Sequence, residues 1–182
     1  MEHRQLLRGK CDECQGLCCV SLAFDRSAWF ASDKAADTPC PQLDAAHRCQ
    51  LHEHLDAAGY PGCTSYDCFG AGQRVSRELF AGTSWRDEPS RAAAMFSAFR
   101  RLKELHELRW LLHEASRLEL GPAHAEQRRR LLALLEPAAP LDAAALDALD
   151  LDALGLQTRR LLRELRAYLP APLGLRRLAV LG

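Results

Sequence analysis

"SRAAAMFSAFRRLKELHELRWLLHEASRLEL", residues 90–120 of a 182-residue chain, repeats its apolar side chains at the interval of a helix. Ala98, Leu102, Leu105, Leu108, Leu112 and Ala115 recur three and four positions apart, which places them on one face. Pro89 suits a first turn, Asp87 or Ser90 stands near the cap, and Gly121-Pro122 ends the run. His106 and His113, seven apart with Arg109 between them, are read as a solvated face; in an adaptor, that face would be the partner-docking one.

Outward from this helix, "AHAEQRRRLLALLE" (123–136) predicts a second, ended by Pro137 and Pro140, and "LGLQTRRLLRELRAYL" (154–169) a third, ended by Pro170. Between them "LDAAALDALDLDALG" (141–155) fits a short helix capped by Asp142, low in complexity but without a repeat. The fold class expected is therefore mainly α. The division expected is an irregular cysteine-rich module over residues 1–80 and a helical region over 81–182.

The N-terminal part obeys another rule. Cys11, Cys14, Cys18, Cys19, Cys40, Cys49, Cys63 and Cys68 all fall within the first 68 residues, and none follows. Four of the seven histidines and turn-forming pieces such as "ASDKAADTPCP" and "AAGYPGC" are also there. Only short helices fit such text, and "CQLHEHLDAAG" (49–59), closed by Gly59, is the best of them.

Thiolates two to four residues apart converge on one ion because a tight turn brings their sulfurs within about 2.3 Å of it. Cys11-x-x-Cys14 has that spacing, and Gly16 lets the backbone fold round before Cys18. Cys19 is adjacent to Cys18, and neighbouring side chains diverge, so this pair is expected to serve two centres rather than one. Soft sulfur disfavours calcium and magnesium and leaves zinc or iron, as two four-cysteine sites or as an iron–sulfur cluster plus zinc. All eight cysteines are candidate ligands; His52 and His54 are left out as exposed histidines.

The head "CDECQGLCC" (11–19) and the tail "PCPQLDAAHRCQLHEHLDAAGYPGCTSYDC" (39–68) resemble the YkgJ-like cysteine-cluster family, described as a zinc- or iron-chelating domain. That family's CxxCxxCC head reads CxxCxxxCC here. Cys40 with Leu43, Cys49 with Leu51 and His52, and Cys63 with Tyr66 and Cys68 match its tail, Leu51 standing where the family has Ile. Membership implies chelation by these thiols. "AGYPGCT" and "YDCFGAGQRVS" also resemble the cysteine-rich head that precedes pentapeptide repeats in some proteins of high-GC bacteria, but residues 120–182 contain no such repeats.

Other classes lose support. The 24 basic residues balance 24 acidic ones, so no nucleic acid or anionic membrane partner is expected. No apolar run approaches a membrane span and "MEHRQLLRGK" lacks a signal core, which points to a cytoplasmic protein with reduced thiols. "FGAG" (69–72) lacks the Lys-Ser/Thr of a phosphate loop and reads as a turn after the last ligand. Arg128-Arg129-Arg130 and Arg159-Arg160, with Glu126, Glu136 and Glu164 nearby, read as solvated. The function expected is zinc or iron binding by the eight cysteines. The alternatives are an iron–sulfur redox enzyme, for which no general base or nucleophile presents itself, and a metal-stabilised adaptor whose long helix docks a protein partner.

Overall fold

In the computed structural model, residue 5, residues 7–137 and residues 139–169 are described. Seven α-helical segments follow in order: α1 (Leu17–Ser21), α2 (Pro61–Ser65), α3 (Ala71–Arg74), α4 (Ala92–Glu114), α5 (Pro122–Leu134), α6 (Ala143–Ala148) and α7 (Leu151–Glu164). Short 3-10 turns precede and follow α4, and a π-helical turn, Val75–Leu79, continues α3. Among the described residues the only extended pairing is two isolated antiparallel bridges, Phe24 with Lys34 and Leu43 with Cys49. The fold is mainly α.

The long helix α4 is the axis of the molecule, packed against α1, α3, α5, α6 and α7. Its expected apolar face is buried throughout, and Met95, Phe96 and Phe99 extend that face at the N-terminal end. Pro89 opens the entry turn as expected, although no side chain caps the helix, and a 3-10 turn ends the run at Arg117. The acidic low-complexity stretch forms two helices rather than one. The Asp142 carboxylate accepts from Ala144 N at 2.8 Å to start α6, and Asp150 accepts from Ala153 N at 2.9 Å to start α7. Arg101 of α4 closes the end of α6, donating to the carbonyls of Leu146 at 2.9 Å and Leu149 at 2.7 Å.

Two further expectations are corrected. Residues 49–59 form a chain of turns, not a helix: Gly59 does close it at φ 83°, but the regular element is the short α2 just beyond. The His106 and Arg109 face is not solvated and does not offer itself to a partner, because His106 is 1% exposed and Arg109 6%. Arg109 reaches back to the end of α5, donating to Leu135 O at 3.2 Å and to Glu136 at 2.5 Å. Both residues serve the chain's own packing.

One core crosses the boundary at residue 80. Leu17 and Val20 of α1, Ala71 of α3 and Val75 are fully buried in the same cluster as Phe99, Leu102 and Leu105. The cysteine-bearing segments are thus mounted on α4 rather than strung beside it. No helix among the described residues is long and apolar enough to cross a membrane.

Candidate metal centre

The structure brings all eight cysteine segments into one neighbourhood, and none of the eight forms a disulfide. Cys11 begins a 3-10 turn, with Cys14 N donating to Cys11 O at 3.3 Å. Gly16, at φ 65°, then swings the chain into α1, which carries Cys18 and Cys19 while Leu17 and Val20 anchor it in the core. A Cβ on Gly16 would stand 2.8 Å from the Leu43 side chain, so this glycine is required by space as well as by its backbone. That approach seats the Cys40–Cys49 loop against the head. The loop is closed by the Leu43–Cys49 bridge and tied to α1 by Cys40 N, which donates to Cys19 O at 2.9 Å.

Cys63 lies in α2, whose Gly62 N donates to Trp29 O at 3.0 Å. Cys68 precedes the turn foreseen at "FGAG": Phe69 and Gly70 have φ of 49° and 76°, and α3 starts immediately afterwards. The buried His106 of α4 holds this turn, with Nδ1 2.7 Å from Phe69 O and Nε2 3.3 Å from the Arg74 guanidinium. Nδ1 therefore carries the proton and donates, leaving Nε2 to accept. Burial, aided by the Arg74 and Arg109 charges, pulls His106 down to about 4.

The sulfurs fall into two groups. A Cβ on Gly72 would stand 2.6 Å from Cys14 Sγ and 3.9 Å from Cys68 Sγ, and one on Gly9 would stand 3.3 Å from Cys68 Sγ. Two glycines thus leave a cradle for these thiols. Cys14, pushed up to about 11 chiefly by burial, also feels Cys68; Cys11 is raised by burial and then by Cys68 and Cys19. In the other group, burial pushes Cys63 up to about 11, with Cys19, Cys40 and Cys49 adding to it. Cys49 is raised by burial first and, against a backbone donor, by Cys19 and Cys40. Cys14 and Cys18 thus lie toward Cys68, Cys49 and Cys63 lie toward Cys19 and Cys40, and Cys11 feels both Cys68 and Cys19.

The adjacent pair joins the two, with Cys18 Sγ 3.8 Å from Cys19 Sγ. Cys18 keeps its proton and donates, which raises it and lowers Cys19. Among the described residues, no three His, Cys, Asp or Glu side chains converge closely enough to enclose an ion. The thiols are gathered but not closed. His52 and His54 are exposed and take no part in either group.

Several residues that build this region carried no local signal. Gln73 clips the strand entering Cys11, its Nε2 donating to Arg8 O at 2.8 Å while its Oε1 accepts from Lys10 N at 3.2 Å. Arg48 straps the loop before Cys49 onto the head, donating to the carbonyls of Cys11 and of Asp12, the latter at 2.9 Å. Lys34 is buried beside Cys19 and Cys40. Gln73 and Arg48 act across tens of residues, beyond the reach of spacing rules, while Lys34 acts over 14 positions or fewer. Of the basic runs expected to be solvated, Arg129, Arg130, Arg159 and Arg160 are exposed, with Arg130 paired to Glu126 at 2.9 Å and Arg160 to Glu164 at 3.2 Å, whereas Arg128 is half-buried and donates to Leu112 O at 3.3 Å.

No protein-family model matches this chain, and no solved structure matches it. The uncharacterized protein YybG of Bacillus subtilis (strain 168) is 44% identical over 123 residues, covering 67% of this chain. The match takes in 44% of that relative, so the chain spans less than half of its length.

Proposed function

We propose that this chain is a metal-binding protein in which eight thiolates hold zinc or iron in two centres. Cys11, Cys14, Cys18 and Cys68 serve one centre, and Cys19, Cys40, Cys49 and Cys63 the other. The observation that supports this reading is that eight free thiols, drawn from segments up to 57 positions apart, come near one another, Cys14 and Cys18 toward Cys68 and Cys49 and Cys63 toward Cys19 and Cys40. The donor set fits a soft or borderline ion, and four thiolates complete a tetrahedral site. The Gly9 and Gly72 cradle supports the first centre, since side chains there would occupy the space beside Cys14 and Cys68. A bound ion would draw each set together and cross-link loops that bury little apolar surface of their own. The likeness of the head and tail to a chelating family points the same way.

Metal analysis of protein purified without air tests the reading. Zinc plus iron approaching two equivalents per chain is expected, and less than about one overturns it. Broad absorbance near 400 nm would mark an iron–sulfur centre, and colourless protein a zinc one. The adjacent pair tests the division: Cys18→Ser and Cys19→Ser should each release about one equivalent, because the other centre keeps its four ligands. Full retention in both variants would remove the two-centre assignment.

A further inference from the structure

The second centre has a buried cation built into its wall. Lys34 is 6% exposed, and its Nζ donates to three backbone carbonyls: Val20 at 3.1 Å, Ala35 at 3.1 Å and Thr38 at 3.0 Å. A neutral amine has two N–H groups, so one of these carbonyls would face its lone pair; three acceptors define an ammonium. Val20 follows Cys19 and Thr38 comes two residues before Cys40, so one charged group ties together the backbones that present both thiols. The ring of Phe24 lies 5.7 Å from the nitrogen on another side.

A buried charge needs compensation, and carboxylates do not supply it here. Among the described residues Lys34 forms no ion pair, and Asp37, the nearby acid, is engaged by Arg100 at 2.5 Å. The remaining groups facing the ammonium are the thiols of Cys40, Cys19 and Cys18. Neutral thiols would leave the cation uncompensated. Four thiolates on a divalent ion carry two excess negative charges, which a buried ammonium partly offsets. Of the first set only Cys18 feels this ammonium, and less than Cys40 and Cys19 do; the arginine beside Cys11 is Arg48, whose guanidinium is spent on exposed backbone carbonyls.

We propose that Lys34 is the counter-cation and positioning residue of the centre formed by Cys19, Cys40, Cys49 and Cys63, and that it bears on the other centre only weakly, through Cys18. The proposal rests on the metal-binding reading above. It makes the two centres unequal in a way that a change at one position exposes.

Cobalt(II) titration of the full chain, read by thiolate-to-cobalt charge-transfer absorbance, tests it. Wild type is expected to take about two equivalents at four thiolates each. Lys34→Gln should keep one and bind the second about 10- to 100-fold more weakly. The band of that weakened site should move to longer wavelength, because thiolates that have lost a nearby cation give up electron density more easily. Lys34→Arg, which keeps the charge, should restore the second equivalent and the band position. Lys34→Met, which keeps the buried stem, should repeat the selective loss and provides a second neutral variant if Lys34→Gln does not fold.

Both equivalents held at wild-type affinity in the neutral variants would overturn the proposal while leaving the metal-binding reading intact. Equal weakening in the neutral and Arg variants with no band displacement would also overturn it, since that is the result of a purely structural lysine. A wild-type chain that takes up no cobalt would overturn the metal-binding reading, and the counter-cation with it.

Discussion

The cysteine-bearing segments and the helices that carry them are held by different forces. Around α4, side chains such as Phe99, Leu102, Leu105 and Leu161 are wholly buried, and stability comes from apolar area removed from water. Between Arg8 and Cys68 the fixing contacts are polar, some of them distant in sequence, such as Gln73 to Arg8 and Arg48 to Cys11 and Asp12, and others nearer, such as Lys34 to Val20 and Thr38. Among the described residues up to 70, only Leu7, Leu17, Val20 and Leu43 are buried hydrophobics. A region so poor in core needs another source of folding free energy, and its eight unpaired thiols are positioned to accept one.

The comparison breaks most visibly on metal removal. A structural zinc contributes on the order of 10 kcal/mol, so a chelator should abolish amide-exchange protection over residues 8–68. Protection in α4 to α7 should persist, weakened only where Leu17, Val20, Ala71 and Val75 pack on α4. Equal loss of protection in both regions would show that they are one cooperative unit.

Phe99→Ala probes the opposite pole. Truncating a fully buried aromatic should destabilise the fold by about 3–5 kcal/mol in denaturant titration. Metal bound per folded molecule should stay unchanged, since Phe99 lies on α4 and not in a cysteine-bearing segment. Loss of metal at denaturant concentrations where the variant is still folded would mean that the core positions the thiols directly.

Acid should strike the joint between the two regions. His106 is neutral in the fold, with a value of about 4 against 6.5 for the unfolded chain. Its contribution is present above pH 6.5 and is lost as the pH falls from 6.5 toward 4, on the order of 3 kcal/mol in all. Unfolding free energies of metal-free protein across that window should show the decline, and His106→Gln should flatten it. An unchanged slope in that variant would place the pH dependence elsewhere.

The smallest change is one methyl group. In Gly72→Ala the new Cβ would meet Cys14 Sγ at 2.6 Å, and overpacking of this kind costs about 1–3 kcal/mol. The larger consequence should be chemical: metal content should fall by about one equivalent, with the second centre retained. Two equivalents with wild-type stability would show that Cys14 moves aside freely.

Legibility in the sequence followed the same divide. The face of α4 was readable because a helix places residues three and four apart together, and Pro89 and the Gly121-Pro122 stop are local signals. The split of residues 141–155 into α6 and α7 was missed although Asp150 caps the second helix as Asp142 caps the first. The repeated Leu-Asp-Ala text hid the break. Residues 49–59 misled in the other direction: their local spacing suits a helix, but Leu43 pairs with Cys49 and holds the chain in turns. His106 and Arg109 looked solvent-facing because a polar side chain carries no sign of what will pack over it.

By itself the sequence determined the helical class, the thiol inventory, the turn at Gly16 and the kink at Phe69-Gly70, since each depends on residues within a few positions of one another. Only the tertiary structure decided that the eight thiols come near one another, which glycines make room for them, and that Lys34, Arg48, Gln73 and His106 belong to their surroundings. Most of those relations join groups tens of residues apart. Their partners are backbone carbonyls, which every residue possesses, so no pattern of side chains announces them before the chain has folded.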